Sequence, residues 1–201
     1  IEKGRLTVAG LLHNQGYRTA AIGKWHLGLE WARLPGADAK RSEMEKKGDG
    51  VDFTRPIGRG PTTLGFDYFF GISASLDMPP YVYIENDRVT AQPTTMDGYL
   101  VGADGHHTRV GPIASGFKAV DVLPTFTRRA IDYIDQCADN ARAGKPFFLY
   151  LALPAPHTPI APDAEWLGKS GLNYYADYVM ETDDSIGKVL AALDRDELTT
   201  N

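Results

Sequence analysis

The hydrophobic pattern of the chain predicts helices that lead directly into apolar strands. A helix is predicted over residues 5–15, followed by Gly16 at the position of a C-cap glycine and by a strand over 17–22. A longer helix over 121–139 leads into the continuous apolar run 147–153, which is typical of a parallel strand covered on both faces. A third helix is predicted over 174–193. The positions that define these helical faces are Leu6, Val8, Leu11 and Leu12 in the first helix, Leu123, Phe126, Ala130, Ile131 and Ile134 in the second, and Tyr175, Val179, Thr182, Ile186, Val189 and Leu193 in the third.

This alternation predicts an α/β fold in which a mostly parallel sheet is sandwiched by helices. On such a sheet, ligands bind beyond the carboxyl ends of the strands. Residues 30–61 and 91–117 lack periodicity and are rich in glycine and charged residues, so both are predicted to form surface loops above the sheet. No internal repeat is evident, and the chain is interpreted as part of a single domain.

Composition and charge narrow the class of protein. The chain has 201 residues, of which 43% are hydrophobic and 23% charged, enough for a sizeable core. A formal net charge of -5 and the lack of a basic stripe argue against nucleic-acid binding. No apolar run has the length of a membrane span. Cys137 is the one cysteine, which excludes an intrachain disulfide and a multi-cysteine zinc site, and it is predicted to be a small buried side chain.

Candidate chemistry follows two of the predicted strands. Lys24 and His26 come at the end of the first strand, where residues two apart lie on the same side and suit an anion and a reacting oxygen. His157 follows the strand over 147–153 in a proline-rich turn, which stiffens the backbone around one imidazole. Each of these residues also has a purely structural interpretation, as a solvated strand end or a satisfied loop histidine.

Two further groups of polar residues lie in predicted loops. Ser75 and Asp77 follow an aromatic-rich run over 64–72 that is itself predicted to be scaffold. His106, His107 and Arg109 are predicted to be solvated, because adjacent histidines are poorly spaced for a shared metal ion.

Three segments of the chain resemble the sulfatase family of the alkaline phosphatase superfamily. Residues 16–26 match the family signature Gly-Tyr-x-Thr-x-x-Ile-Gly-Lys-Trp-His at every fixed position. Residues 65–71 resemble its Gly-Phe-Asp-x-Phe-x-Gly segment, and residues 156–159 resemble its Pro-His-x-Pro turn. The resemblance implies an alkaline-phosphatase-like fold, of which this chain is the middle of the catalytic domain, incomplete at both ends.

The same resemblance implies a formylglycine- and calcium-dependent hydrolysis of sulfate monoesters. In that mechanism Lys24 and calcium hold the sulfate, His26 contacts a formylglycine hydroxyl, and His157 stands near the bridging oxygen. Ser75 and Asp77 would bind the substrate. No Cys/Ser-x-Pro-Ser-Arg motif occurs in the chain, so the nucleophile and the calcium ligands implied by the family are expected outside it.

The resemblance also implies partners and a location. The expected substrate is a small sulfate ester or a sulfated carbohydrate, a formylglycine-generating enzyme would modify the parent protein, and the parent is expected in the periplasm or outside the cell. Two alternatives stay open: a phosphodiesterase or phosphonate hydrolase of the same superfamily, and a non-catalytic relative that binds sulfate esters. The sequence upstream of this chain would discriminate among the three.

Overall fold

A central five-stranded sheet organises the computed structural model, which describes residues 1–37, 50–98, 100–101 and 106–199. The strands are β1 (Arg18–Lys24), β2 (Tyr68–Ile72), β3 (Ile84–Glu85), β4 (Arg88–Val89), β5 (Pro93–Asp97), β6 (Leu100–Val101), β7 (His106–His107), β8 (Gly111–Ala114) and β9 (Phe147–Ala152). The helices of the described residues are α1 (Val8–Asn14), α2 (Val122–Arg142) and α3 (Tyr174–Arg195), with 3₁₀ turns at Pro61–Thr63 and Ala119–Asp121.

Parallel pairing dominates the centre of this sheet. The strand order is β4-β3-β2-β1-β9, and β1 pairs in parallel with both β2 and β9. The β3 and β4 strands form an antiparallel hairpin on the outer side of β2, which makes the sheet mixed. The remaining strands form two separate antiparallel ribbons, β5 with β8 and β6 with β7.

Helices cover both faces of the sheet, as the helix and strand pattern predicts. On one face, Phe126 of α2 lies in a buried cluster with Ala20 of β1 and Phe70 of β2. On the other face, Ala9 of α1 shares a second cluster with Ala21, the next residue of β1. Neighbouring strand residues thus point to opposite faces. The predicted α/β sandwich is confirmed.

The aromatic-rich segment before β2 is scaffold, as predicted. Phe66 and Phe69 are buried against Trp25, with ring centroids 6.1 and 6.3 Å away. The Asp67 carboxylate accepts hydrogen bonds from the backbone N–H of Thr19 at 2.8 Å and from its hydroxyl at 3.0 Å. Burial acts to raise the pKa of Asp67, but these hydrogen bonds and nearby His13 outweigh it, so the pKa lies below its usual value. This contact joins the start of β1 to β2.

Gly23 is required by the close approach of β1 and β9. Its φ is 125°, and a Cβ added there would lie 2.0 Å from the carbonyl oxygen of Ala152. We expect Gly23→Ala to lower the free energy of unfolding by about 4 kcal/mol or more, because strain and a backbone clash add. Urea unfolding of the dilute chain, followed by tryptophan fluorescence, measures this change.

Gly16→Ala is the matched control for that substitution. Gly16 also has a positive φ, of 87°, but open space surrounds its missing Cβ. Its replacement should therefore cost only about 1 kcal/mol of backbone strain. Equal costs at the two positions would show that the contact with Ala152 is unimportant.

The strand β9 lies at the edge of the sheet, and within the described residues its outer side has no paired strand. Side chains of β9 pack against clusters on both faces of the sheet, as predicted, with Phe148 on the α1 face and Leu151 on the α2 face, but the edge position leaves them only partly buried. All its residues are only partly buried except Tyr150, which is 42% exposed. Because unpaired edges invite association, we expect the isolated chain to form larger species as its concentration rises, measured by light scattering. A monodisperse monomer at high concentration would contradict this.

Two helical faces differ from the predicted pattern. The apolar positions of α1 and α3 are largely exposed, including Leu11, Tyr175 and Ile186. Instead α3 packs on α2 and buries Tyr178, Glu181 and Ser185. Buried Glu181 accepts a hydrogen bond from the backbone N–H of Asp163 at 2.9 Å, so the covered face of α3 also holds a loop through a polar contact. Periodicity alone does not carry that information.

The first predicted surface loop is also partly core. Trp31, Val51 and Ile57 are buried in the cluster on the α1 face of the sheet, so residues 30–61 are not simply an excursion. Residues 38–49 of that prediction lie outside the described part of the chain. In the described residues, no helix is long and apolar enough to span a membrane.

Candidate active site

Three chain segments meet at the carboxyl edge of the parallel strands. The register pairs Lys24 of β1 with Ile72 of β2, and Gly23 with Ala152 of β9. The segments that follow these residues therefore leave the sheet on the same side. They carry four of the five residues predicted for the site, and the fifth, Lys24, is the last residue of β1.

The segment after β1 is tied to the segment after β2 by backbone pairing. The N–H of Trp25 donates to the carbonyl of Ile72 and the N–H of His26 to that of Ser73, both at 3.0 Å. Trp25 is buried, and its indole N–H donates to the carbonyl of Gly28 at 2.8 Å. His26 itself is exposed and has a φ of 53°. The signature tryptophan thus anchors a turn that presents the His26 imidazole above the sheet.

Ser75 contacts His26 directly. Its hydroxyl oxygen lies 3.2 Å from Nδ1 of the imidazole, and the serine is buried. Either group can be the donor, depending on the tautomer of the ring. In both arrangements Nε2 is left to face a ligand, as acceptor when Nδ1–H donates to Ser75 and as donor when the hydroxyl donates.

Asp77 connects the site to the strand region around β8. Its Oδ2 lies 3.7 Å from Nη2 of Arg109, and its backbone carbonyl accepts from the N–H of Arg109 at 3.3 Å. Its Oδ1 is enclosed and has no hydrogen-bond donor among the described residues. A buried acceptor without a donor is costly, so this oxygen is a place where a donor from a ligand or from another part of the protein is expected.

His157 occupies the proline turn after β9, as predicted. Its side chain is exposed, and its Nδ1 lies 2.5 Å from the carbonyl oxygen of Thr158. A carbonyl can only accept, so Nδ1 carries the proton and Nε2 points away as the free nitrogen. The chain beyond this turn is fastened to α3 by the bond between Asp163 and Glu181.

The imidazole of His26 is affected by the other four predicted residues. Burial and then the positive charge of Lys24 lower the pKa of His26 below its ordinary value. The carboxylate of Asp77 acts to raise it, and His157 lowers it further. His26 is therefore neutral at pH 7, within electrostatic reach of three of the predicted residues and in contact with the fourth, Ser75.

The other residues considered in the sequence take different places. Cys137 is buried in α2, in agreement with its predicted role as a small core side chain. His106 and His107 form β7, and nothing further is described of their side chains. Across the residues that the structure describes, no group of three or more His, Cys, Asp or Glu could hold a metal ion.

Arg109 is a residue that sequence reasoning missed. Its sequence neighbourhood indicates only a solvated loop, whereas its backbone and guanidinium both contact Asp77. The relevant signal is tertiary: the hydroxyl of buried Tyr81 donates to the carbonyl of Arg109 at 2.6 Å, which fixes this segment beside the site.

The fold and this cluster define an α/β protein with a lysine- and imidazole-rich site at the carboxyl edge of its parallel strands. The chain belongs to the sulfatase family, whose model matches residues 2–201. The family suggested by the three sequence segments is thus confirmed.

Relatives with known names agree with this assignment. The chain is 30% identical to an N-acetylgalactosamine-6-O-sulfatase of Bacteroides thetaiotaomicron, over 100% of the chain and 42% of the relative. It is 31% identical to the N-acetylgalactosamine-6-sulfatase of Mus musculus, over 91% of the chain and 28% of the relative. The chain therefore spans less than half the length of these curated relatives.

A solved structure supports the fold independently. It comes from work on the metabolism of multiple glycosaminoglycans by Bacteroides thetaiotaomicron and superposes with a TM-score of 0.74 at 28% identity. The match covers 99% of this chain and 44% of that one.

Proposed function

We propose that this chain is part of a longer enzyme that hydrolyses sulfate monoesters. The observation that carries the proposal is the cluster around His26, which Ser75 contacts and on whose pKa Lys24, Asp77 and His157 act. Cleavage of a sulfate ester requires cationic groups around three charged oxygens and a proton for the departing oxygen. This cluster supplies both kinds of group.

Lys24 and His26 act on the sulfate and its attacking group. The Lys24 ammonium is a compact charge that holds the sulfate oxygens. His26 is neutral because its pKa is lowered, so with Nδ1–H donating to Ser75 its Nε2 would be a base able to accept a proton from a hydroxyl group at the site. Ser75, a proposed substrate-site residue, orients the imidazole of His26 in this tautomer.

His157 and Asp77 act on the alcohol side of the ester. Because Nδ1 of His157 already donates to Thr158, its Nε2 gives a proton to the departing oxygen only from the imidazolium form. Asp77 accepts a hydrogen bond from a substrate hydroxyl, which would satisfy its enclosed Oδ1. Lys24 and His26 thus act on the sulfate side of the ester, and His157 and Asp77 act on the leaving group.

Calcium and formylglycine, which the family generally uses, do not fit the residues of this chain. Calcium takes six to eight oxygen ligands in proteins, whereas the described cluster offers one carboxylate, one hydroxyl, one ammonium and two imidazoles. Cys137 is buried within α2 and unsuited to be the nucleophile. We propose that both groups, and the formylglycine-generating enzyme as a partner, act on other parts of the complete protein, in the periplasm or outside the cell.

The substrate class we propose is a sulfated carbohydrate. The two relatives described above are N-acetylgalactosamine-6-sulfatases, and a hydroxyl-binding role for Asp77 suits a sugar. The complete protein, meaning the full product of the gene that encodes this segment, should release sulfate from nitrophenyl sulfate. The purified 201-residue chain should not, and turnover by it above a Lys24→Ala control would contradict this division.

The pH dependence of the complete protein tests the assignment of His26 as base. Activity should fall as pH drops through the pKa of His26, because only the neutral imidazole accepts a proton. The Asp77 carboxylate raises that pKa, so Asp77→Asn should move the acidic limb of kcat/KM to lower pH. Asp132→Asn, an exposed position on α2, is the control and should leave the limb in place. A shift to higher pH in Asp77→Asn would be incompatible with this assignment.

A further inference from the structure

The position of Arg109 beside the site is fixed by its backbone. Its N–H donates to the carbonyl of Asp77 at 3.3 Å, and its carbonyl accepts from the hydroxyl of Tyr81 at 2.6 Å. Tyr81 is fully buried and is itself bonded to the β8 strand through Pro112 and Ala114. The backbone of Arg109 is therefore held between the Asp77 loop and the core.

The guanidinium group, in contrast, is largely free to bind a ligand. The side chain is 52% exposed, and its one ion pair in the described part of the chain is with Asp77 at 3.7 Å. That separation is longer than a charge-assisted hydrogen bond, which lies near 2.7–2.9 Å. Most of the five guanidinium donors thus lack a protein acceptor among the described residues, and half-exposed pairs of this kind are weak.

Asp77 places this cation next to the proposed reaction centre without making it part of that centre. The same carboxylate that pairs with Arg109 acts on the pKa of His26. The Asp77 carboxylate therefore interacts with Arg109 and also with the imidazole cluster. An anion from solvent that bound Arg109 would compete only with the weak ion pair between Arg109 and Asp77.

We propose that Arg109 binds a second acidic group of the substrate, on a part of the molecule next to the scissile ester. The planar guanidinium matches the oxygens of a sulfate or a carboxylate in a two-point contact. The inference rests on the proposed function and narrows its substrate class to polyanionic oligosaccharides. The two sources of the acidic group, a second sulfate or a uronic acid carboxylate, share this chemistry.

The test compares three substrates in the complete protein. These are nitrophenyl sulfate, a monosulfated disaccharide with a uronic acid, and a disulfated disaccharide without one. The measured quantity is the kcat/KM of a disaccharide divided by the kcat/KM of nitrophenyl sulfate. Arg109→Gln should lower this ratio by about tenfold or more, the usual effect of losing hydrogen bonds to a charged group. The loss should lie in KM rather than kcat. The disaccharide that responds identifies the source of the acidic group.

Two further variants separate a binding role from a structural one. Arg109→Lys keeps the charge and should recover part of the ratio, whereas Arg55→Gln removes another exposed arginine and should leave the ratio unchanged. Equal losses on all three substrates, or no loss on either disaccharide, would overturn the proposal.

A direct measurement keeps the two proposals distinct. If the complete protein released no sulfate from any substrate, the proposed function would fail, and calorimetric titration with the same disaccharides would still test Arg109. Weaker binding by Arg109→Gln than by the unmodified protein would support the role of Arg109. Equal binding, or none by either protein, would refute it.

Discussion

Replacing Lys24 by Ala in the complete protein should lower kcat/KM for sulfate esters by about 10²- to 10³-fold, the size of a lost charge-stabilising donor. Lys24 ends β1 at the edge where the site segments meet, and in the proposed function its ammonium would bind the charged sulfate oxygens. Its charge also lowers the pKa of His26. The same substitution should therefore move the acidic limb of the pH profile of kcat/KM to higher pH. Asp77→Asn should move that limb to lower pH.

The control for Lys24 is an exposed lysine near the amino ends of the parallel strands, opposite to the site. Lys145 lies two residues before β9, at the end opposite to His157, and Lys145→Ala should leave both rate and pH profile unchanged. Lys24→Arg keeps the positive charge and should retain part of the activity. If Lys24→Ala lowered only the melting temperature, Lys24 would be no more than a solvated strand end.

The second large effect is expected for His157→Ala, which should lower kcat by about 10²-fold or more. The imidazole is held in the proline turn with Nδ1 bonded to the carbonyl of Thr158, so Nε2 is the nitrogen available to the departing oxygen. The loss should be larger for an alkyl or sugar sulfate than for nitrophenyl sulfate. A good leaving group needs little protonation.

Leaving-group dependence distinguishes the possible roles of His157. An equal loss on both kinds of substrate, confined to KM, would mean that His157 only helps to bind the sulfate. Unchanged kinetics with a lower melting temperature would mean that the turn is structural. The parallel determination of kcat and KM on nitrophenyl and sugar sulfates separates these outcomes.

The sequence was sufficient for the features that depend on local pattern. Lys24, His26 and His157 each follow an apolar strand, and parallel strands bring their carboxyl ends to one edge. Gly16 was identifiable as a C-cap because a glycine belongs where a helical pattern stops, and it adopts the positive φ that this role needs. These predictions needed only neighbouring residues.

Features set by long-range contacts were not predictable in this way. The incomplete burial of β9 follows from its place at the edge of the sheet, which no periodicity within the strand encodes. The buried face of α3 packs on α2 and contacts Asp163 through Glu181. Arg109 reaches the site through Tyr81 and Asp77, residues far from it in sequence.

The measurement that tests the central claim most directly is a comparison of esters in the complete protein. Sulfate release from nitrophenyl sulfate and nitrophenol release from bis(nitrophenyl) phosphate and a phosphonate ester would be followed side by side. The account predicts that the sulfate ester is the preferred substrate, that Lys24→Ala lowers its kcat/KM by about 10²- to 10³-fold, and that His157→Ala lowers its turnover less than that of a sugar sulfate. Preference for the phosphate diester or phosphonate, or sulfate release that Lys24→Ala leaves unchanged, would contradict the assignment of this cluster as a sulfatase site.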